Sequence, residues 1–341
     1  MIFVAASSVG PNSTGGVFRS NGDGAWQRLN SLPNDRVHAV TVHPDDHAVV
    51  YAGTEGGLYR SRDRGDRWER LAVSPEAGQV WALFVHPSDH QVLYAGTSPV
   101  GVWRSEDGGE SWRQLHGALQ PDRVKMEFPC RVMRFAGTAA NPNALYAALE
   151  VGGVMRTTDG GETWEDCCSG LLGLAERPHL KSQIQSDTDA EGMLDAHAIA
   201  VSPADPDGVL LAVRMGLFRG KQAMDWVDME VGRHSPLTYA RDVRVSPQDP
   251  KVLYACLSPA ARSHDGSVYR SPDLGKTWSR FDHGVKAEAT MMALALHPQD
   301  SAQVHCVSRC GQVFSTTDTG NSWRETRLPD GVKDAYAIAC A

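Results

Sequence analysis

Apolar and polar residues alternate in short runs along almost the whole chain, and no segment shows a sustained helical period. Val37 to Val42 alternates as a strand, His43-Pro44-Asp45-Asp46 turns, and Val49 to Gly53 makes a second strand. Gly56-Gly57 then turns into a third strand, Leu58 to Ser61, and Trp68 to Leu71 supplies a fourth. Between the third and fourth strands lies a stretch that recurs as S-x-D-x-G-x-[ST]-W, with Thr allowed first. It is complete at Ser105–Trp112, Thr157–Trp164, Ser271–Trp278 and Thr316–Trp323, lacks one hydroxyl at Ser61–Trp68, and is eroded at Ser20–Trp26 and Gly220–Trp226. The seven closing tryptophans are spaced by 42, 44, 52, 62, 52 and 45 residues, so the smallest unit has the length of a four-stranded propeller blade. The pattern predicts an all-β fold in which residues 1–341 form a single seven-bladed β-propeller of four-stranded antiparallel blades. Asp334 to Cys340 reads as an innermost strand with no successor, and Ile2 to Ala6 as a second strand with no predecessor. The ring is therefore expected to close by pairing the C-terminal strand into the N-terminal blade.

Composition narrows the partners. Acidic residues exceed basic ones, 41 to 33, for a net charge of −8 without any Lys/Arg run, which argues against nucleic acid. No apolar stretch reaches the length of a membrane helix, and the first residues lack the charged region and cleavage site of a secretory leader, so no membrane partner and a cytoplasmic location are expected. The seven cysteines are odd in number and scattered, with only Cys167-Cys168 adjacent and Cys310 close behind Cys306, which suits a reducing compartment.

The recurrent stretch resembles the Asp-box, or bacterial neuraminidase repeat, of sialidases, xyloglucan-active glycosidases, sortilin-type receptors and the photosystem II assembly and stability factor. The resemblance covers the whole chain and implies the propeller fold. It implies little about activity, because the box is structural: Asp63, Asp107, Asp159, Asp273 and Asp318 are expected to bind backbone N–H groups of their own turns, Gly to supply a positive φ, and Trp to pack beneath. A sialidase would need an arginine triad, a tyrosine nucleophile and an R-[IL]-P segment before the first box. That segment is absent, seven blades exceed the sialidase count, and only Tyr336, Arg134 and Arg241 keep a remnant. Xyloglucan-active relatives pair two propellers across a cleft, which one propeller cannot form.

Strand alternation places the boxes on one face, while the long connections Leu115–Cys130, Glu165–Asp195 and Asp228–Tyr239 and the turns Ser7–Gly16 and Ser258–Gly266 fall on the other. His43, His86 and His297 precede Pro at positions where other repeats carry Ser, which marks them as repeat furniture. His38, His116, His179, His197, His234, His264 and His283 map to the face opposite the boxes. One column near the start of the innermost strands reads His38, Trp81, Met133, His197, Arg241, Met292 and Tyr336, against a background of Ala, Val, Leu and Ile. It falls at the mouth of the central channel, flanked by Arg36, Arg134, Asp195, Asp242 and Asp334, with Glu55 and Glu150 from neighbouring turns.

Three chemistries suit this set. In one, Arg36, Trp81, Arg134, Arg241 and Asp242 bind a small anionic molecule, while His38, His197, Tyr336 and Asp195 transfer protons. In another, His38, His197 and His234 hold a divalent metal ion with an open position for water, although nothing has HExxH-like spacing. In the third, Asp187 to Gly192 begins like a calcium loop, but Ala198 stands where the closing Glu belongs. The leading expectation is a cytoplasmic enzyme of hydrolase or lyase type, with no cofactor identified beyond the divalent ion of the second chemistry. Its rivals are a non-catalytic scaffold that grips a protein partner and a glycan-active glycosidase of sialidase-like type.

Overall fold

Side chains that alternate between two neighbours suit sheets buried on both faces, and the chain folds into seven four-stranded antiparallel sheets packed side by side. The computed structural model describes residues 1–9, 14–33, 35–117, 123–329 and 331–341. The tip of the Ser7–Gly16 turn and residues 118–122 of the Leu115–Cys130 connection lie outside the described residues. The innermost strands, in blade order, are Val332–Cys340, Val37–Val42, Gln79–Val85, Val132–Thr138, Ala196–Ser202, Tyr239–Val245 and Met291–Leu296. The first of these comes from the end of the chain. Val332–Cys340 pairs antiparallel with Ile2–Val9, in the register Ile2 to Cys340, and so closes the ring as the strand pattern predicts. No helix among the described residues is long and apolar enough to cross a membrane.

The core is divided in the same way. Seven buried apolar clusters each occupy one junction between neighbouring blades; one joins Val4 and Phe18 to Val307 and Val313 across the closure. No blade buries both faces alone, so each depends on its neighbours.

The recurrent turns are built from their own side chains. In the five best-kept copies the Asp Oδ1 accepts the first-position hydroxyl at 2.7–2.9 Å and the backbone N–H four residues on at 2.8–3.0 Å. The same hydroxyl accepts the glycine N–H, and Gly161 needs its φ of 103° to make that approach. Trp112, Trp164 and Trp278 donate their indole N–H to that glycine's carbonyl at 3.0–3.1 Å. The proline-preceding histidines are structural too: the His86 ring bonds the Pro142 carbonyl of the next blade at 2.7 Å.

The long Glu165–Asp195 connection departs from the strand-only expectation by holding two short helices, Ser169–Ala175 and Glu191–Leu194. Their Leu171, Leu174, Met193 and Leu194 fill the junction between the fourth and fifth blades. Helices of seven and four residues are too brief to print a period on the sequence. The acidic Asp187–Gly192 stretch closes around its own carboxylate: Glu191 Oε2 accepts the N–H groups of Ile184, Gln185 and Ser186 at 3.0 Å and the Ser186 hydroxyl at 2.8 Å.

Candidate functional site

Each innermost strand skips a residue of the same column in its ladder, and the C-terminal strand also bypasses Lys333 near its start. Val37 and Ala39 pair with Thr54 and Gly53, leaving His38 out; Ala335 and Ala337 pair with Ala6 and Ala5, leaving Tyr336 out. Trp81, Met133, His197, Arg241 and Met292 are bypassed in the same way. Such a bulge bends the strand and re-aims one side chain. All seven residues line one cavity of about 520 Å³ that continues down the channel past Val40, Leu83, Phe135 and Leu294. A polar, aromatic mouth thus sits on an apolar shaft.

One side of the mouth is aromatic. The His38 ring stacks on Trp81 with centroids 3.7 Å apart and planes within 8°, and Tyr336 meets His38 edge-on at 6.2 Å and Trp81 at 5.5 Å. The Arg131 guanidinium lies 4.0 Å from the Trp81 ring centroid and pairs with Glu150. His38 is 6% exposed, and neither ring nitrogen has a partner among the described residues. Burial, together with the charges of Arg131 and Arg36, pulls its pKa down to about 3. At neutral pH it is therefore an uncharged imidazole with one donor and one acceptor unused.

The opposite side holds a second histidine and most of the charge. His197 Nδ1 donates to the Ala240 carbonyl at 2.7 Å, while Nε2 faces the Tyr239 hydroxyl at 3.3 Å and Asp195 Oδ2 at 3.4 Å. Burial alone would raise the Asp195 carboxyl, but His197 and Arg214, which bonds it at 2.7 Å, hold it well below the usual range. Arg241 lines the cavity half-buried, with its guanidinium 5.9 Å from the Tyr336 ring centroid and no carboxylate in ion-pair range among the described residues. Beside it, fully buried Asp242 accepts the Leu294 N–H at 3.0 Å and Arg244 Nε at 3.1 Å, and faces Arg134 Nη1 at 3.4 Å. Burial and then the nearby Arg244 charge lower the Arg134 pKa to about 10, although Asp242 opposes them.

Of the residues expected from sequence, His38, Trp81, Arg134, His197, Arg241 and Tyr336 line this cavity together. Asp242 lies beneath the wall as the counter-charge of two arginines. Arg36 does not line the cavity: it is exposed and 3.9 Å from Glu55 at the rim. Asp195 is also outside the lining, behind His197, because its charge is taken up by Arg214. The same rim exchange recurs between Arg309 and Asp334 at 2.6 Å. The trio His38, His197 and His234 is not brought together, since His234 is exposed at the end of a 3-10 turn, Val231–Arg233, and His38 and His197 line the mouth. No group of three His, Cys, Asp or Glu side chains among the described residues is placed to hold a metal ion. His116, His179, His264 and His283 are likewise exposed. Arg131, Tyr239 and Arg244 were not among the expected site residues. Arg244 does leave a trace: at the position after the bulge five blades carry Ala, and the two exceptions are Arg134 and Asp242, the residues to which it is coupled.

The fold and mouth define a seven-bladed β-propeller with an open, cationic and aromatic channel entrance. Residues 266–339 match the family described as Sortilin, neurotensin receptor 3. Over 83 residues, 24% of this chain, it is 39% identical to vacuolar protein sorting/targeting protein 10 of Mycosarcoma maydis, of which the match spans 5%. Among solved structures it is similar to an ancestral GH74 enzyme (TM-score 0.63, 16% identity, 91% of this chain and 39% of that one). It is also similar to YCF48 from Cyanidioschyzon merolae (TM-score 0.60, 16% identity, 90% of each chain) and to YCF48 bound to D1 peptide (TM-score 0.56, 14% identity, 87% and 82%). At these identities the likeness is one of fold, shared by glycosidases and an assembly factor alike.

Proposed function

We propose that the chain binds a small anionic molecule at the channel mouth, with Arg241 as the principal anion contact. The observation that carries this reading is a guanidinium on a bulge, lining a cavity, with no carboxylate in ion-pair range. A protein with a net charge of −8 that holds such a group there concentrates positive potential at a cavity open to a ligand. Tyr336 and Trp81 offer ring faces and edges to the ligand's body, and His38 offers an unspent hydrogen bond. The recurrent turns, whose aspartates serve their own backbone, support placing the chain among Asp-box propellers.

Binding has better support than proton transfer. His38, with its pKa near 3, is too weak a base at neutral pH, and both nitrogens of His197 face protein groups. A glycosidase would need two carboxylates flanking its ligand, and no Asp or Glu is among the described residues lining the cavity.

Isothermal titration with small carboxylates and phosphates tests the reading. Arg241→Met is expected to weaken binding about a hundredfold while the protein keeps a single cooperative thermal transition. If no such anion binds at millimolar concentration, or if the variant binds as well as the parent, the reading fails and the scaffold alternative gains.

A further inference from the structure

The charges lining the channel mouth do not balance. Arg134, Arg241 and Arg244 all line the cavity, and the one carboxylate in contact with them is Asp242. That carboxylate is already divided between Arg134, Arg244 and the Leu294 N–H. The other carboxylates near this wall lie outside the lining, Glu150 against Arg131 and Asp195 and Glu191 against Arg214, and from there Glu150 and Asp195 also favour the charged form of Arg241. Three arginines thus line the cavity with no carboxylate among the described lining residues, and the carboxylates that compensate them lie behind the wall. Arg134 registers the excess, since its charged form is disfavoured by burial and by Arg244 and Arg241. On the opposite wall the buried His38 has both nitrogens unpartnered, an independent sign that a polar molecule completes the mouth.

We infer that the ligand of this mouth carries a dianionic group, such as a phosphate monoester or a dicarboxylate, held between Arg241, Arg134 and Arg244. The inference rests on the anion-binding reading above and adds the charge state of the ligand. Arginine suits the task because its fixed fork of donors matches a phosphate or carboxylate edge, and two or three forks can surround one such group. Three guanidinium groups present more N–H donors than one singly charged carboxylate can accept, whereas a dianionic group can engage two forks at once.

The experiment compares matched probes in chloride-free buffer by isothermal titration: phenyl phosphate against phenyl methyl phosphate, and phthalate against benzoate. Each pair keeps the ring and removes one charge. The dianion of at least one pair is expected to bind tenfold or more above its monoanion, on the order of one additional charge contact. Arg134→Met is expected to shrink that ratio to about threefold or less while monoanion binding through Arg241 persists. Equal affinity within both pairs would overturn the dianion inference and leave the anion site standing. Absence of binding by all four probes would remove both. The parent protein alone decides between these outcomes, so a misfolded variant does not obscure them. A preference confined to one pair identifies the dianion as phosphate or as dicarboxylate.

Discussion

His38 shows how a single side chain can shape both site and stability. Its neighbours are Trp81 and Tyr336, with Arg131 and Arg36 as the nearby charges, and all of them favour the neutral ring. Its folded pKa, about 3, lies below the ordinary 6.5, so the unfolded chain takes up the proton first. The contribution is fully present above pH 6.5 and is lost as the pH falls toward 3; over the whole interval it amounts to at most ~5 kcal/mol. His305, 4% exposed and bonded through Nδ1 to Ser315 Oγ, has its pKa lowered to about 4 and acts in the same direction. Urea denaturation of His38→Phe should show a shallower loss of stability than the parent between pH 6.5 and 4, with His305 and the carboxylates held below their usual range, Asp195 among them, contributing to what remains. Parallel curves for the two proteins would show that His38 is not the titrating group. The placement of this residue was legible in the sequence because it belongs to a column of large and polar side chains in strands otherwise filled by Ala, Val, Leu and Ile. The roles were less so. Whether an arginine faces a ligand or a carboxylate depends on partners far away in sequence, and Arg134 meets Asp242 only once three blades are in place.

Among the elements, the strands and their turns were the most readable, because period-two alternation and a fixed turn chemistry are both local properties. The turn glycines make a sharp test. A Cβ at Gly161 would lie 2.4 Å from Leu115 Cδ1, at a backbone φ of 103° that L side chains rarely adopt. Gly161→Ala is expected to cost about 1–3 kcal/mol in chemical denaturation while leaving anion affinity unchanged, since the box lies at the far end of the blade from the mouth. A change in affinity as large as the change in stability would mean that the two ends are mechanically coupled. The bulges were not readable as bulges. An extra residue in one strand shows only against its partner's register, although the unusual side chains it carries did stand out.

For the molecule as a whole, closure makes stability collective. Val332–Cys340 is both the innermost strand of the first blade and a wall of two junctions, through Val332, Ala335 and Ile338 on one side and Ala337 and Ala339 on the other. Removing residues 332–341 should abolish the cooperative thermal transition instead of lowering it by a few degrees, because a ring with an open seam exposes two apolar faces at once. A truncated protein that still melts in one sharp step would contradict this. The overall architecture was legible from the repeat count and from the unpaired strands at the two ends of the chain. The separation of matched rim ion pairs from unmatched charges lining the cavity was not, since it rests on distances between blades.

The ring of bulges has a consequence for how such a protein changes over time. Each of the seven mouth residues is outside its strand's ladder and comes from a different blade. Replacing one therefore leaves the strand pairing in place and is felt only through ring contacts such as those of His38 with Trp81 and Tyr336, and ligand preference can drift by single substitutions while the fold stays fixed. The mouth behaves as a set of interchangeable fittings on a common mount, open to retargeting in the laboratory one blade at a time.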